Sequence, residues 1–153
     1  MRTELRKARP GDEKVIFDLV KAVLSDYGLK VNPESTDKDI SDLNKYYFEN
    51  NGWFSVLEAE GKIIGSYGIF KIDELRCELR KMYLFNQYQG KGWGRLMLED
   101  AIDKAKSLGY HEMLLETNKL LVRAMRLYQK YGFTEITNQH LSDRCDLAMS
   151  RQL

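Results

Sequence analysis

The sequence contains few cysteines and no long apolar run. Its 153 residues include two cysteines, Cys77 and Cys145, which cannot make a disulfide scaffold. Residues 1–10 alternate in charge and lack the apolar core of a secretion signal. The longest apolar stretch, residues 61–72, contains two inner glycines and falls short of the roughly 20 residues that span a bilayer. We therefore expect a protein of a reducing, cytoplasmic compartment without a membrane partner.

The sequence also lacks an excess of charge of either sign. It has 24 Lys and Arg against 23 Asp and Glu, a formal net charge of +1. This balance argues against a protein that binds nucleic acid or an anionic membrane through bulk charge. Apolar residues make up 43% and charged residues 31%, the composition of an ordinary globular protein. The length predicts one domain, residues 1–153.

Metal-ligand spacing is missing as well. The two histidines, His111 and His140, and the two cysteines are far apart in the sequence, so no metal site is predicted. Cys145 would act as a nucleophile only beside a basic group, and a small buried residue is the simpler interpretation.

Hydrophobic periodicity predicts eleven elements in the order β-α-α-β-β-β-α-β-α-β-β. Together they form an α+β protein with helices packed around one sheet. The predicted helices cover residues 12–27, 37–47, 93–108 and 121–128. The predicted strands cover residues 3–8, 53–58, 62–72, 77–84, 111–117, 133–137 and 146–151. The strand at 77–84 alternates apolar and polar side chains, so one of its faces is open to a functional role.

A glycine-rich loop between a strand and a helix, residues 89–95, is the most informative segment. Glycines allow tight turns and close approach of backbone N–H groups to a ligand. A helix start adds N–H groups and partial positive charge, which suits a phosphate or pyrophosphate. The P-loop is excluded because Arg95 and Leu96 follow Gly94, and the dinucleotide fingerprint is excluded because Arg95 occupies its last glycine position. A glycine-rich turn without a ligand remains the alternative.

The loop resembles the coenzyme A loop of the GNAT superfamily of N-acetyltransferases, written [Q/R]-x-x-G-x-[G/A]. Gln89, Gly92 and Gly94 fill its fixed positions. The strand at 78–84 resembles the family's fourth strand, and residues 116–133 resemble its later motif. The resemblance covers nearly the whole chain and implies a mixed, mostly antiparallel sheet. The family fold has about seven strands and about four flanking helices, and it splays between the fourth and fifth strands.

The resemblance implies acetyl-CoA as cosubstrate. Backbone groups of Met82, Tyr83 and Leu84 would pair with its pantetheine arm, and an N–H there would stabilise the oxyanion. Its pyrophosphate would lie against the loop and helix start, formed by Gln89, Gly90, Lys91, Gly92, Trp93, Gly94 and Arg95. Lys91 and Arg95 either add charge or are solvated. Asn118 is a further binding candidate, although Leu121 occupies the position where many members carry Asn.

Two catalytic roles follow from the resemblance. At pH 7, deprotonating an amine of pKa about 10.4 costs roughly 4–5 kcal/mol, so a base or a water chain must accept the proton. Glu78 is the candidate base; otherwise it is a surface strand residue. Tyr128 is the candidate acid that protonates the departing thiolate and a further candidate for binding acetyl-CoA; otherwise it is a core residue. His140 could border the acceptor site.

The sequence therefore predicts an acetyl-CoA-dependent N-acetyltransferase that transfers the acetyl group directly to a primary amine. The amine acceptor, a small molecule or a peptide, is not identified by the sequence. A homodimer is an expectation from the family alone. A non-catalytic acyl-CoA-binding or sensor domain on the same fold is the main alternative, and a protein-interaction domain with a vestigial loop is a more distant one.

Overall fold

A computed structural model describes residues 2–137 and 141–153. Its four helices are α1 (Glu13–Ser25), α2 (Leu43–Tyr46), α3 (Trp93–Ser107) and α4 (Val122–Lys130). Its seven strands are β1 (Thr3–Lys7), β2 (Trp53–Ala59), β3 (Lys62–Lys71), β4 (Arg76–Leu84), β5 (Glu112–Thr117), β6 (Thr134–Ile136) and β7 (Leu147–Gln152). Short 3-10 turns cover Lys38–Ser41, Phe48–Asn50 and Asn86–Tyr88.

The strands form one sheet in the order β1-β2-β3-β4-β5-β7-β6. Every neighbouring pair is antiparallel except β4 and β5, which are parallel. The predicted mixed, mostly antiparallel sheet is confirmed. Helix α3 carries one buried stripe, whose members are Met97, Leu98, Ala101, Ile102 and Ala105. This stripe packs on one face of the sheet, and the buried face of α1 packs on a second apolar cluster.

The helix predicted over residues 37–47 is wrong. The chain there forms a 3-10 turn, then the one-turn helix α2, then another 3-10 turn. Asp42 interrupts the run with φ −150° and ψ 88°, and its side chain accepts a hydrogen bond from the Lys45 N–H. The apolar residues Ile40, Leu43 and Tyr47 are nevertheless buried as their pattern predicted.

Strands β4 and β5 diverge after four paired positions. Their pairing runs from Arg76 opposite Glu112 to Leu79 opposite Leu115. Beyond that point β4 continues through residues 80–84, which among the described strands lie beside β3 alone. The sheet therefore splays between its fourth and fifth strands, and one edge of β4 lies open inside the sheet.

A bulge lies in this open part of β4. Gly68 of β3 is opposite Arg80, and Ser66 is opposite Tyr83; two residues of β4 thus face one residue of β3. Lys81, at the bulge, has φ +53°, a left-handed conformation that is uncommon for a residue with a side chain. The Ser66 hydroxyl donates to the Lys81 carbonyl at 2.7 Å, which fixes the bulge.

Within residues 2–137 and 141–153, no helix combines the length and apolarity needed to cross a bilayer.

Candidate active site

Two cavities meet at the open edge of β4. The larger, of about 490 Å³, lies between the end of β4, the glycine loop and helix α4. The smaller, of about 240 Å³, lies between β4, the end of β5 and the chain at residues 35–36 and 142–145. Five side chains line both cavities, and they are Met82, Tyr83, Leu121, Ala124 and Tyr128. A molecule in the larger cavity can therefore reach one in the smaller cavity past these residues.

The glycine loop turns sharply before helix α3. Gly92 has φ +91° at the N-cap position of the helix, a conformation that strongly favours glycine. The first hydrogen bond of the helix joins the Leu96 N–H to the Gly92 carbonyl at 3.1 Å. The N–H groups of residues 93–95 precede this bond and have no partners inside the helix. These N–H groups and the positive end of the helix dipole suit an anionic group in the larger cavity.

Most of the predicted binding residues lie together. Those that line the larger cavity are Met82, Tyr83, Leu84, Gln89, Gly90, Gly92, Gly94, Arg95 and Tyr128. The Gln89 side chain donates to the Leu84 carbonyl at 3.0 Å. Gln89 therefore ties the loop to the end of β4 through its side-chain amide.

Three predicted binding residues lie elsewhere. The exposed Lys91 places its Nζ 6.0 Å from the ring centre of Tyr88, and Lys91 does not line the larger cavity. The Trp93 ring packs against the apolar core, so only its backbone lies at the helix start. Asn118 lines the smaller cavity.

Both ends of the Asn118 amide are engaged by the protein itself. Its Nδ2 donates to the Arg144 carbonyl at 2.8 Å, and its Oδ1 accepts from the Leu120 N–H at 2.9 Å. These contacts hold the turn after β5 against the chain that precedes β7.

Three cations on α4 were not among the predicted site residues. Arg123, Arg126 and Lys130 line the larger cavity together with Arg95. Their spacing of three and four residues places them on one face of a helix, so the pattern was visible in the sequence. This basic rim complements the phosphates of a nucleotide-like ligand.

Tyr128 lies between the two cavities. Its side chain is buried, with 6% of the residue exposed, and its ring packs edge-on against Phe133 at 5.8 Å between centroids. Burial raises the pKa of Tyr128 above its usual value, with smaller contributions from Tyr83 and Cys145. Burial also raises the pKa of the neighbouring Tyr83 to about 12. Both hydroxyls therefore hold their protons at neutral pH.

The predicted base, Glu78, lines the smaller cavity but is engaged by its neighbour. The Arg80 Nε donates to the Glu78 carboxylate. Arg80 is held in turn by the Phe70 ring, 3.7 Å below the guanidinium carbon. A proton that is transferred to Glu78 must therefore compete with the Arg80 guanidinium for the carboxylate.

A second carboxylate, Glu116 on β5, lines the same cavity and was not among the predicted residues. Its Oε1 accepts from the Ser142 N–H at 2.9 Å. In the described part of the chain, no Lys or Arg nitrogen lies within ion-pair distance of Glu116. Glu116 is therefore the carboxylate in this cavity that a cationic ligand meets without displacing a bound cation.

A buried ion cluster underlies the smaller cavity. Lys81 Nζ lies 3.4 Å from Asp37 Oδ1 and 3.2 Å from Asp39 Oδ1, and it donates to the Thr36 carbonyl at 3.0 Å. Arg144 binds Asp37 through both terminal nitrogens. Burial alone raises the pKa of the Asp37 carboxyl, but the Arg144 hydrogen bonds and the Lys81 charge outweigh it, so the pKa lies below its usual value.

The remaining chemically reactive groups have simpler roles. Cys145 lines the smaller cavity, and burial raises the pKa of its thiol, which keeps it protonated and a poor nucleophile. His140 lies outside the described residues. Among residues 2–137 and 141–153, no group of three or more His, Cys, Asp and Glu side chains is arranged to hold a metal ion.

Comparison with known proteins identifies a family. Residues 18–133 match the model of the acetyltransferase (GNAT) family. The chain is 28% identical to the uncharacterized N-acetyltransferase YjgM of Escherichia coli, over 97% of this chain and 94% of that protein. It is 32% identical to human N-acetyltransferase 8B, over 62% of this chain and 44% of that protein. The chain thus spans less than half of that human relative.

Solved structures share the fold at low sequence identity. An acetyltransferase of the GNAT family from Staphylococcus aureus superimposes with a TM-score of 0.92 at 17% identity, covering 99% of each chain. A GNAT family acetyltransferase from Elizabethkingia anophelis with acetyl-CoA bound superimposes with a TM-score of 0.70 at 20% identity. That alignment covers 99% of this chain and 98% of the other.

Proposed function

Since the chain belongs to the GNAT family of acetyltransferases, we propose that it transfers acetyl from acetyl-CoA directly to a primary amine. Residues 1–153 would act as one catalytic domain. The observation that supports this most is the junction of two cavities at the open edge of β4, with Tyr128 lining both. A transferase with two substrates needs this arrangement, because the two reacting groups must meet in one place.

The larger cavity is the proposed acetyl-CoA site. Backbone groups of Met82, Tyr83 and Leu84 extend along the open strand edge, where they can pair with an amide-containing arm as a further strand would. The N–H groups of the glycine loop and first turn of α3 hold the pyrophosphate, and the basic rim of α4 adds charge. The bound thioester supplies an activated acetyl group and a leaving thiolate.

The bulge at Lys81 supports stabilisation of the developing oxyanion. Because two residues of β4 face one of β3 there, the regular ladder is interrupted and an N–H of the bulge is released from strand pairing. A backbone donor that is fixed in place beforehand stabilises negative charge on the carbonyl oxygen during transfer. The Ser66 hydrogen bond to the Lys81 carbonyl holds this segment rigid.

Proton movements complete the proposed reaction. The amine enters as an ammonium ion and gives one proton to a carboxylate of the smaller cavity, Glu116 or Glu78, directly or through water. Its nitrogen then bonds to the acetyl carbon to form a tetrahedral oxyanion, which collapses as the bond from carbon to sulfur breaks. The Tyr128 hydroxyl donates its proton to the departing thiolate, and the second proton of the amine nitrogen passes back to the phenolate, directly or through water, so that Tyr128 ends the reaction protonated.

The decisive test is a pair of measurements on the same protein. Calorimetric titration should show binding of acetyl-CoA, and a CoA-release assay should show turnover with at least one amine from a panel of amines, peptides and antibiotics. Binding without CoA release from any amine would establish the acyl-CoA-binding alternative instead. Absence of binding would leave the vestigial-loop alternative.

A further inference from the structure

We infer that the acceptor is a small molecule that carries an anionic group beside its amine, with a free amino acid as the simplest member of this class. This inference rests on the proposed function and narrows the acceptor of the same site.

The first step concerns the walls of the smaller cavity. The lining includes Ser35 and Thr36 from one chain segment and Ser142 and Arg144 from another. The bidentate bond between Arg144 and Asp37 joins these two segments, and the Asp37 side chain is 0% exposed. A peptide that passed between the two segments would have to break this buried ion pair, which is costly because Arg144 would lose its counter-charge.

The second step concerns size. The cavity has a volume of about 240 Å³, below the roughly 300–1,000 Å³ that is typical of sites for drug-sized ligands. A compact acceptor fits within this volume, whereas a larger acceptor would extend beyond the cavity.

The third step locates an anion site. The Arg80 guanidinium lies over the Phe70 ring at 3.7 Å, and its Nε is bound to Glu78, so its plane is fixed by two contacts. Its side chain remains 30% exposed and lines the cavity. The contacts among described residues engage Nε and approach Nη1, which leaves Nη2 donors for a ligand. An oriented planar guanidinium is well suited to a carboxylate.

The fourth step locates the ammonium group. Glu116 lines the cavity from β5, and Arg80 lines it from β4, after the two strands have diverged. The cavity therefore presents the Glu116 carboxylate on β5 and, on β4, the Arg80 guanidinium beside its partner Glu78. A zwitterionic acceptor complements both, whereas a polyamine would bring a second positive charge towards Arg80.

The experiment compares acceptors that differ in one charge. CoA release is measured with free amino acids, with their methyl esters and primary amides, with diamines and with short peptides. We expect kcat/KM for the best free amino acid to exceed that for its own ester and amide by about tenfold or more, the scale of one charge-assisted hydrogen bond. Diamines and peptides should be poorer still.

A pair of variants assigns the effect to one guanidinium. Arg80→Gln should raise KM for the free amino acid by about tenfold or more while changing KM for the ester little. Arg76→Gln is the matched control, because Arg76 lies at the start of the same strand, pairs with Asp73 and does not line the cavity. It should retain the wild-type preference.

The possible results separate the two proposals. Equal use of amino acids and their esters, or preferred use of peptides or diamines, would overturn this inference and leave the acetyltransferase proposal intact. Binding of acetyl-CoA without CoA release from any member of the panel would overturn the proposed function, and this inference with it. The ratio of kcat/KM for the free amino acid to kcat/KM for its ester, measured on the wild-type enzyme, tests this inference even if Arg80→Gln fails to fold.

Discussion

The Arg144 guanidinium donates two hydrogen bonds of 2.6 Å to the Asp37 carboxylate, 107 positions earlier in the chain. Lys81 approaches the same carboxylate from the bulge of β4. One buried carboxylate therefore connects two chain segments that line the smaller cavity with the strand proposed to hold the thioester.

Asp37→Asn should destabilise the protein by about 3–5 kcal/mol at pH 7, because it leaves buried Arg144 without its counter-charge and leaves Lys81 with Asp39 alone. The pKa of Asp37 is lowered in the folded state, so its stabilising contribution is present above the unfolded pKa of about 3.9 and lost as pH falls through the lower folded value. Urea denaturation of both proteins from pH 7 to about pH 3 should show that the difference between their free energies of unfolding decreases.

The exposed Asp18, paired with Lys14 at 3.7 Å, is the control; Asp18→Asn should change the free energy of unfolding by less than about 1 kcal/mol. A difference that stays constant over this pH range would contradict the prediction.

Gly92→Ala and Gly109→Ala form a matched pair at the two ends of α3. Their φ values are +91° and +95°, and an added Cβ meets no atom within 4 Å at either position. Both variants should therefore lose about 1–2 kcal/mol of stability from the left-handed conformation. Gly92 alone lines the larger cavity, so only Gly92→Ala should weaken acetyl-CoA binding, by about tenfold or more for a lost hydrogen bond to a charged group. Equal affinities of the two folded variants in calorimetric titration would remove the phosphate role from this loop.

Tyr128→Phe deletes the hydroxyl that lies between the two cavities. If this hydroxyl protonates the thiolate, kcat should fall about 10²-fold or more, with a smaller change in KM. Tyr131→Phe is the control on the same helix end, because its hydroxyl bonds to Glu99 outside both cavities. Steady-state kinetics beside a thermal melt distinguishes catalysis from packing. A Tyr128→Phe enzyme with activity within about threefold of wild type would identify Tyr128 as a core residue.

Glu116→Gln and Glu78→Gln compare the two candidate bases. The Glu78 carboxylate is bound by Arg80, so we expect Glu116→Gln to lower kcat/KM more. The loss should be greatest near neutral pH and smaller at about pH 9–10, where more of the amine is already deprotonated. A pH–rate profile of each variant makes the assignment. A wild-type profile for Glu116→Gln together with a shifted one for Glu78→Gln would make Glu78 the base.

Local pattern was sufficient for helix α3. The stripe of α3 and the position of Gly109 after it predicted that helix to within a residue. The glycine loop lies between β4 and α3, as its turn-forming residues predicted, and its role in binding stays a prediction.

Long-range contacts explain what the sequence did not predict. The run at residues 37–47 looked helical because Ile40, Leu43 and Tyr47 have helical spacing, yet Asp37 and Asp39 turn inward to cations from distant segments. The alternation along β4 predicted a regular strand, but the strand has a bulge at Lys81, whose side chain pairs with those same carboxylates. No window of sequence contains both members of such a pair, so periodicity could not reveal them.

The divergence of β4 from β5 has a consequence for the folded protein without its cosubstrate. Only four residue positions join the two halves of the sheet, and backbone groups of residues 80–84 face a gap on one side. A bound pantetheine chain would fill this gap as a substitute strand, so ligand binding would complete the backbone pairing of β4. The melting temperature should then rise with acetyl-CoA concentration in the logarithmic way that mass action requires, and amides of residues 80–84 should exchange hydrogen with water more slowly in the complex.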